Sequence, residues 1–277
     1  MIDTHCHLNF RAFKDDAFEV IARAQAAGVS QMILVGSQWS TNERGVVMAK
    51  ENEALYAAIA LHPVHLFEME VDEGEDHFTT RAEVFDYDKY KGLALSSPNV
   101  IAIGECGLDY FHFPEGVSVE EVKTKQAETL RSHIDLATEL NLPLIIHCRE
   151  AYDDLFVILD EAVRAGKLPK RGVNHCFLGN RAQAKKFLDL GFYLSFTGII
   201  TFKNVSPELI EVIKETPLDR IMVETDAPYL APQAYRGKRN EPAFVVEVVK
   251  KIAEVKNLTV QEVDSNITNN SKIFFNI

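Results

Sequence analysis

The chain has 277 residues, of which 47% are hydrophobic, and its formal net charge is −12. That apolar content can fill a large buried core, and about 250 residues is a common length for a single barrel domain. The acidic balance argues against a protein that coats nucleic acid through its overall field, because such binding relies on clustered Lys and Arg. A phosphate-bearing substrate would therefore have to be attracted locally.

The first residues and the cysteines indicate a reducing compartment. Residues 1–7 have neither the basic start nor the apolar core of a secretory signal. The longest apolar stretch, residues 190–202, is interrupted by polar residues and glycine, and it is shorter than the roughly 20 residues of a membrane helix. The four cysteines form no C-x-x-C pair. We therefore expect a cytoplasmic protein that does not contact membranes.

Short apolar runs alternate with amphipathic segments along the whole chain. The apolar runs predict eight β-strands, at residues 1–7, 31–36, 55–61, 100–105, 144–148, 172–176, 192–196 and 221–225. Helical periodicity predicts helices at residues 15–27, 41–52, 119–140, 151–164, 181–190 and 207–215, with a weaker pattern over 82–95. Two more helices, 242–255 and 260–270, follow the eighth strand, and a capping box of Thr259 and Glu262 begins the second.

The repeated strand–helix unit determines the predicted fold class, which is α/β. Strands that alternate with helices favour a parallel sheet. Eight such units within this length favour closure into a (β/α)8 TIM barrel over an open, doubly wound sheet. No repeat, low-complexity tract or Pro/Gly-rich linker divides the chain. We therefore predict one domain that spans residues 1–277.

Two charged segments do not fit this alternation. Six carboxylates between Glu68 and Asp76 predict a solvated loop or an insertion after the third strand. Arg236, Lys238 and Arg239 form the one dense basic cluster, in the loop 231–241 after the eighth strand. Both segments are expected near the carboxyl ends of strands, which is the functional face of such barrels.

Six potential metal ligands lie at or just after the ends of predicted strands. His5 and His7 are separated by one residue, so their side chains point to the same side of the first strand. This pair alone is modest evidence, because packed or surface histidines can have the same spacing. The full set converges on one rim of the barrel: His5, His7, Glu105, His147, His175 and Asp226. An unpaired carboxylate buried there would be costly, so the set predicts metal binding.

The number of ligands indicates a binuclear metal site at the carboxyl ends of the strands. A single tetrahedral zinc needs only four ligands, whereas two ions bridged by a carboxylate, about 3.5–4 Å apart, would use all six. Glu105 is the natural bridge, because it lies between the histidines of the first strand and those of the fifth and sixth. Imidazole and carboxylate ligands suit Zn, Mn, Fe, Co or Ni, while Mg prefers oxygen. We expect two divalent ions per chain, with Mg²⁺, Mn²⁺ and Zn²⁺ as candidates.

Each cysteine directly follows one of these ligands in the sequence. The four are Cys6, Cys106, Cys148 and Cys176. Strand alternation predicts that each thiol points away from the metals and packs under the helix layer.

Eight short strings along the chain resemble the motifs of the TatD family of metal-dependent deoxyribonucleases. In order, they are D-T-H-C-H-L, L-H-P, I-G-E-C-G-L-D-Y, H-C-R, N-H-C-F, F-T-G-I-I-T-F-K, V-E-T-D-A-P-Y-L and Y-R-G-K-R-N-E-P. Each string alone is weak, but eight in the family order are specific and cover nearly the whole chain. The resemblance implies an amidohydrolase-like TIM barrel, a binuclear metal site and hydrolysis of phosphodiester bonds, chiefly in DNA. One departure is Val64, which stands where the family usually has a histidine, with His65 one place later.

The resemblance also assigns the ligands to two ions. Carried over residue by residue, it implies that one ion is held by His5, His7, Glu105 and Asp226, and the other by Glu105, His147 and His175. Asp226 is our candidate for the catalytic proton acceptor, because a carboxylate that touches both metal and an activated water can accept its proton. Pure ligation is the alternative role. Glu224, on the same strand face, is expected to support a ligand.

Five side chains near the same rim are candidate substrate contacts. The cations that a phosphate would need are Arg149, Lys203, Arg236 and Arg239. A surface salt bridge or plain solvation is the alternative for each of them. His62 precedes Pro63 at the end of the third strand and is expected to face the mouth of the barrel, with packing as its alternative.

Three classes of function remain open. The first is a metal-dependent deoxyribonuclease that cleaves phosphodiester bonds at ends or in single strands of DNA. The second is an amidohydrolase-type enzyme that cleaves an amide or ester, such as an aminoacyl-tRNA deacylase, and the third is a non-catalytic, metal-stabilised barrel. The complete ligand set counts against the third. The basic cluster near Arg236 favours a phosphate-bearing substrate, whereas the acidic stretch near Glu73 weakly favours a neutral one. We expect a hydrolase with DNA as its substrate and no obligate protein partner.

Overall fold

The computed structural model describes residues 1–72 and 77–277. Eight parallel strands form one sheet, in which each strand pairs with the next one of the sheet along the chain. The strands are β1 (Ile2–Cys6), β2 (Gln31–Val35), β3 (Leu55–Ile59), β4 (Glu70–Asp72), β5 (His77–Thr79), β6 (Val100–Asp109), β7 (Leu144–Arg149), β8 (Gly172–Asn174), β9 (Tyr193–Phe196) and β10 (Ile221–Val223). Strands β4 and β5 form a separate antiparallel hairpin, and the others are the eight that the sequence predicts.

Helices follow the strands of the large sheet, as the alternating pattern predicts. They are α1 (Ala17–Ala26), α2 (Trp39–Glu51), α3 (Tyr87–Leu95), α4 (Val119–Leu140), α5 (Tyr152–Arg164), α6 (Arg181–Asp189), α7 (Pro207–Glu215), α8 (Val245–Lys256) and α9 (Val260–Phe275). The capping box of Thr259 and Glu262 is present at the start of α9. Among the described residues, no helix combines the length and apolar character needed to cross a bilayer.

The sheet closes into a barrel where its first and last strands meet. Cys6 and Ala227 form a parallel bridge. The backbone N–H of Asp226 donates to the carbonyl of His5 at 2.9 Å, and the N–H of His7 donates to the carbonyl of Ala227 at 2.8 Å. The predicted (β/α)8 barrel is confirmed, and its closure places the carboxylate of Asp226, directly after the last strand, beside His5 and His7 at the end of the first.

Side chains that alternate along the strands form two apolar layers. Ile33, Ile145 and Met222 belong to an inner cluster within the barrel, and their neighbours in sequence pack against the helices. Phe274 and Phe275, at the end of α9, join the inner cluster. The end of α9 therefore fills the amino-terminal end of the barrel, and the carboxyl ends of the strands are left for the functional site.

A buried asparagine in the first turn of α2 bonds to the backbone just after β3. The Asn42 side-chain amide donates to the carbonyl of Ala60 at 2.7 Å, and its Oδ1 accepts from the N–H of Ala60 at 3.1 Å. Gly36 lies directly against this side chain, and a Cβ at this glycine would lie 2.0 Å from Oδ1 of Asn42. This contact fixes the segment that leads to His62.

The described part of the acidic segment is residues 68–72, which include β4, and β4 pairs with β5 in a hairpin inserted after β3. Residues 73–76 lie outside the described residues, so the predicted loop of six carboxylates is described only in part. Phe78 of β5 lines the cavity at the carboxyl ends of the barrel strands. The hairpin therefore borders the mouth of the barrel.

Gly36→Ala should destabilise the fold, because the new Cβ must displace Asn42 and break its two hydrogen bonds to Ala60. We expect a loss of roughly 2–3 kcal/mol, which corresponds to a fall in Tm of about 5–10 °C. Gly92→Ala is the matched control, because nothing lies within 4 Å of its Cβ position on α3. Its Tm should stay level or rise slightly. Equal Tm values for the two variants would contradict this role for Gly36.

Candidate metal centre

The six predicted ligands lie together at the carboxyl ends of the barrel strands. A cavity of about 530 Å³ opens there, and five of the six line it. These five are His7, Glu105, His147, His175 and Asp226. His5 is fully buried beside them, with its Nε2 atom 3.2 Å from Nε2 of His7.

The first group of ligand atoms consists of His5, His7 and Asp226. Oδ1 of Asp226 lies 3.2 Å from Nε2 of His7 and 3.6 Å from Nε2 of His5. Oε2 of Glu105 lies 3.4 Å from Nε2 of His5. A tetrahedral ion with bonds of about 2.0–2.2 Å would separate its ligand atoms by about 3.3–3.6 Å. The spacing therefore fits a cation between these four side chains.

The second group surrounds the other oxygen of Glu105. Its Oε1 atom lies 2.8 Å from Nδ1 of His147, 3.2 Å from Nε2 of His175 and 3.4 Å from Nε2 of His62. His62 thus lies close to the carboxylate, and it groups with Glu105 and His147 as a possible ligand. The two oxygens of one carboxylate face two different groups of imidazoles, which is the arrangement that a bridging ligand requires.

Hydrogen bonds behind the histidines orient their ring nitrogens. Nδ1 of His7 lies 2.8 Å from the carbonyl oxygen of Val35, which can only accept, so Nδ1 is the protonated nitrogen. Nδ1 of His175 donates to Glu224 at 2.9 Å, and so the supporting role expected for Glu224 matches its position. The Nε2 lone pairs of both histidines are therefore directed toward carboxylates, and this geometry is typical of imidazoles that ligate metal.

The electrostatics of the site call for added positive charge. Burial opposes ionisation of Glu105, but the surrounding histidines, first His175, hold the pKa of this carboxyl well below its usual value. Burial favours a neutral ring at His147, yet Asp109 and Glu105 raise the pKa of this histidine to about 9. Ionised carboxylates repel the lone pairs of imidazole nitrogens at this distance, so cations are needed between them. Bound metal ions satisfy that need without protonating the histidines.

Asp109 is a functional candidate that the sequence reasoning missed. It is buried, and its Oδ2 atom accepts from Nε2 of His147 at 3.0 Å. Its Oδ1 atom accepts from the N–H groups of Phe111 and His112 at 3.0 and 2.8 Å. The available signal was its spacing of four residues from Glu105, which puts both carboxylates on one face of a strand. The strand was predicted to end at Glu105, but β6 continues to Asp109.

The structure places one further histidine at the cavity and corrects one expectation for the cysteines. His65 is buried and lines the cavity, and burial lowers the pKa of its ring to about 3. Cys6 and Cys106 pack in the outer apolar layer as predicted, but Cys148 and Cys176 line the cavity. At Cys176 the backbone has a φ of 43°, so strand alternation ends directly after His175.

The five candidate substrate contacts divide into two sets. His62, Arg149 and Arg236 line the cavity, and each guanidinium lies over a phenylalanine ring, Arg149 over Phe111 at 3.7 Å and Arg236 over Phe202 at 4.5 Å. The cavity lining does not include Lys203 or Arg239.

Ion pairs explain the position of Arg239. Its guanidinium bonds to both carboxylate oxygens of Asp16 and lies 3.3 Å from Glu241. Its Nη1 atom also donates to the carbonyl of Ala12 at 2.6 Å. Lys203 is exposed on the loop after β9, where its backbone N–H donates to Gln233 at 3.1 Å. Neither cation contacts the metal centre in this arrangement.

Several known proteins are similar to this chain in sequence and in fold. The family model for TatD related DNase matches residues 2–276. The chain belongs to the TatD family. A Bacillus subtilis (strain 168) protein, named as an uncharacterized metal-dependent hydrolase, YabD, is 40% identical over 277 residues, covering 100% of this chain and 99% of that protein. A protein from Erwinia tasmaniensis, named 3'-5' ssDNA/RNA exonuclease TatD, is 32% identical over 285 residues and covers 100% of both. The crystal structure of a TatD homologue from Escherichia coli K12 has a TM-score of 0.85 and 30% identity, covering 100% of this chain and 98% of that one.

Membership of the TatD family makes this protein a metal-dependent hydrolase. The resemblance seen in the eight sequence strings is thereby confirmed over the whole chain. The donor set of imidazoles and carboxylates accords with metal dependence, because its atoms already lie at the spacing of a coordination shell.

Asp109→Asn should weaken metal binding about 10- to 100-fold, because an amide cannot accept from His147, Phe111 and His112 as the carboxylate does. Titration of the stripped protein with Mn²⁺ or Zn²⁺, followed by calorimetry, measures the change. Asp88→Asn, at an exposed position on α3, is the control and should bind metal like the wild type. Unchanged affinity in Asp109→Asn would mean that Asp109 is only a structural capping residue.

Proposed function

We propose that this TatD protein is a two-metal phosphodiesterase that hydrolyses nucleic acid, with single-stranded DNA or DNA ends as its main substrate. The observation that carries this proposal is the shared carboxylate of Glu105, whose two oxygens face two groups of histidines. Two ions a few ångströms apart suit an in-line displacement at phosphorus, because both the attacking and the leaving oxygen carry developing charge. The name of the Erwinia tasmaniensis relative supports the same class of substrate.

The proposed ligands follow the two groups around Glu105. One ion would be held by His5, His7, Glu105 and Asp226, and the other by Glu105, His147 and His175, whose ring nitrogens both lie near Oε1 of Glu105. His62, which was expected to contact substrate, is close enough to the second group to complete its coordination. We propose Mg²⁺, Mn²⁺ or Zn²⁺ as the ions, and the high content of imidazole favours Mn²⁺ and Zn²⁺.

When bound, the ions would activate a water and polarise the phosphodiester. Asp226 is the proposed proton acceptor. Its carboxylate is partly exposed to the cavity, and its pKa lies below the usual value because the contact with Nε2 of His7, at 3.2 Å, and the other nearby histidines outweigh the effect of burial. The carboxylate is therefore ionised near neutral pH and can accept a proton at Oδ1 or Oδ2. Arg149 and Arg236 line the same cavity, and in this proposal their guanidinium groups bind non-bridging phosphate oxygens.

Aromatic side chains around the cavity support a single strand as substrate. The lining includes Phe10, Phe78, Phe202 and Tyr229. Unpaired bases stack on such rings, and this stacking contributes roughly 1–3 kcal/mol per base. Bases of an intact duplex are already stacked on each other, so they would gain little from these rings. The net charge of −12 further disfavours a long duplex, which would have to approach an acidic surface.

A cytoplasmic location is part of the proposal. All four cysteines are free, and Cys6 and Cys106 are buried in the outer layer. Burial raises the pKa of the Cys106 thiol, so it is protonated and unreactive at neutral pH. Free thiols throughout the chain are typical of a reducing compartment.

The substrate class is tested by incubating metal-loaded protein with labelled single-stranded DNA, RNA, duplex DNA and a panel of amides and esters. We expect the highest kcat/KM on single-stranded DNA and activity that stops on addition of chelator. Cleavage of amides or of aminoacyl esters, with no cleavage of any nucleic acid, would support the amidohydrolase alternative instead.

Asp226→Asn should lower kcat by roughly 10²- to 10⁴-fold, because it removes the proton acceptor and weakens one ligand. Asp219→Asn is the matched control, at an exposed site next to the opposite end of β10. Metal content measured beside the rates separates the two roles. Near-normal kcat in Asp226→Asn with metals bound would show that another group accepts the proton.

A further inference from the structure

A second cavity lies beside the metal centre and is lined by cations. It measures about 700 Å³, and its walls contain Arg11, Lys14, Lys238 and Arg239 together with Tyr229 and Pro228. No Asp or Glu is among the residues that line it. The cations come from two parts of the chain, the short turn after β1 and the loop after β10. Four basic residues in one cavity are unusual for a chain with a net charge of −12.

Two of these cations keep their charge available. Within residues 1–72 and 77–277, neither Arg11 nor Lys238 has a carboxylate within ion-pair distance, and both are exposed. Lys14 has only a loose, exposed contact of 3.8 Å with Asp15. The field of the cavity is therefore not neutralised by its own walls, and an anion that enters it meets no like charge on the lining.

The wall of the cavity is held in place by internal bonds. Arg239 is tied to Asp16 and to the carbonyl of Ala12, so the basic loop is fixed against the turn after β1. Asn240 donates to the carbonyl of Thr225 at 2.8 Å and to that of Tyr229 at 2.6 Å. The cavity is therefore preformed, and binding there would need little ordering of the loop. Arg239 acts as a structural support of this site.

Tyr229 connects the second cavity to the metal centre, because it lines both. Its backbone N–H donates to the carbonyl of Asp226 at 2.9 Å, and its ring centre lies 6.2 Å from that of His7. A nucleic-acid strand with one phosphate at the metals would therefore reach the second cavity after passing only the side chain of Tyr229. Its aromatic ring offers a surface on which a base can stack at this point.

We propose that the second cavity is a subsite for the phosphodiester backbone of a single-stranded nucleic acid whose scissile phosphate lies at the metal centre. This inference rests on the proposed function, and it identifies the place where the rest of the strand would bind. Local cations compensate for the acidic surface, so the protein attracts a flexible polyanion beside the metal centre. The cations would bind the phosphate groups and not the sugar or the base. DNA and RNA should therefore bind equally well at the subsite.

The test compares two double variants that remove the same charge. Arg11→Gln with Lys238→Gln neutralises the two unpaired cations of the cavity. Lys170→Gln with Lys272→Gln is the control, because these exposed lysines lie toward the amino-terminal end of the barrel. Arg239 is kept in both variants because it supports the loop.

Rates are measured on single-stranded DNA and RNA of increasing length and on bis(p-nitrophenyl) phosphate, a small diester that occupies the metal centre alone. In the cavity variant, the ratio of kcat/KM for long strands to that for the diester should fall roughly five- to tenfold. The slope of log kcat/KM against log salt should flatten by about 1.4, because each lost single-strand phosphate contact removes about 0.7. The control variant should keep both wild-type values, and the loss should be the same for DNA and RNA.

Anisotropy of a labelled oligonucleotide, measured with chelator so that nothing is cut, separates this inference from the proposed function. If the wild type cleaves no nucleic acid, the proposed function is wrong, but the cavity variant should still bind the oligonucleotide more weakly than the control variant. If the wild type cleaves DNA and both double variants bind and cleave alike, the cavity is not a phosphate subsite. A loss confined to DNA or to RNA would likewise contradict recognition of the backbone alone.

Discussion

The buried carboxylate of Glu105 is the constraint on which the site depends. An ionised group in a protein interior costs several kcal/mol unless it is paired and hydrogen-bonded. Four imidazoles, from His5, His62, His147 and His175, lie within 3.4 Å of its oxygens. Neutral imidazoles can offer lone pairs to a cation but not charge to a carboxylate. Metal ions therefore balance a charge that the protein alone would balance only by protonating its histidines.

Barrel closure and assembly of the site are the same structural event. The backbone bonds that join β1 to the segment after β10 involve His5, His7 and Asp226. A barrel that failed to close would separate these ligands by most of the length of the chain. The second cavity depends on the same junction, because Asn240 bonds to the carbonyl of Thr225 directly before Asp226. Stability of the fold and affinity for metal should therefore be coupled.

Much of the fold was predictable from sequence, because strands buried on both faces appear as continuous apolar runs between amphipathic helices. The position of the candidate ligands was predictable for a related reason, since a polar residue directly after such a run must lie at the carboxyl rim. Asp109 was missed because a glycine-containing run after Glu105 does not have the pattern of a strand, although β6 passes through it. The partner of Arg239, Asp16, is distant in sequence, and only the folded chain brings the two together. Long-range ion pairs of this kind leave no local pattern.

Whether two cations share Glu105 can be measured by anomalous X-ray scattering from crystals of the metal-loaded protein. Two shared cations should give two peaks about 3.5–4 Å apart, one beside His5 and His7 and the other beside His147, and Glu105→Gln should lose this pair. A single peak that is retained in the Glu105→Gln variant would show that Glu105 does not bridge two ions.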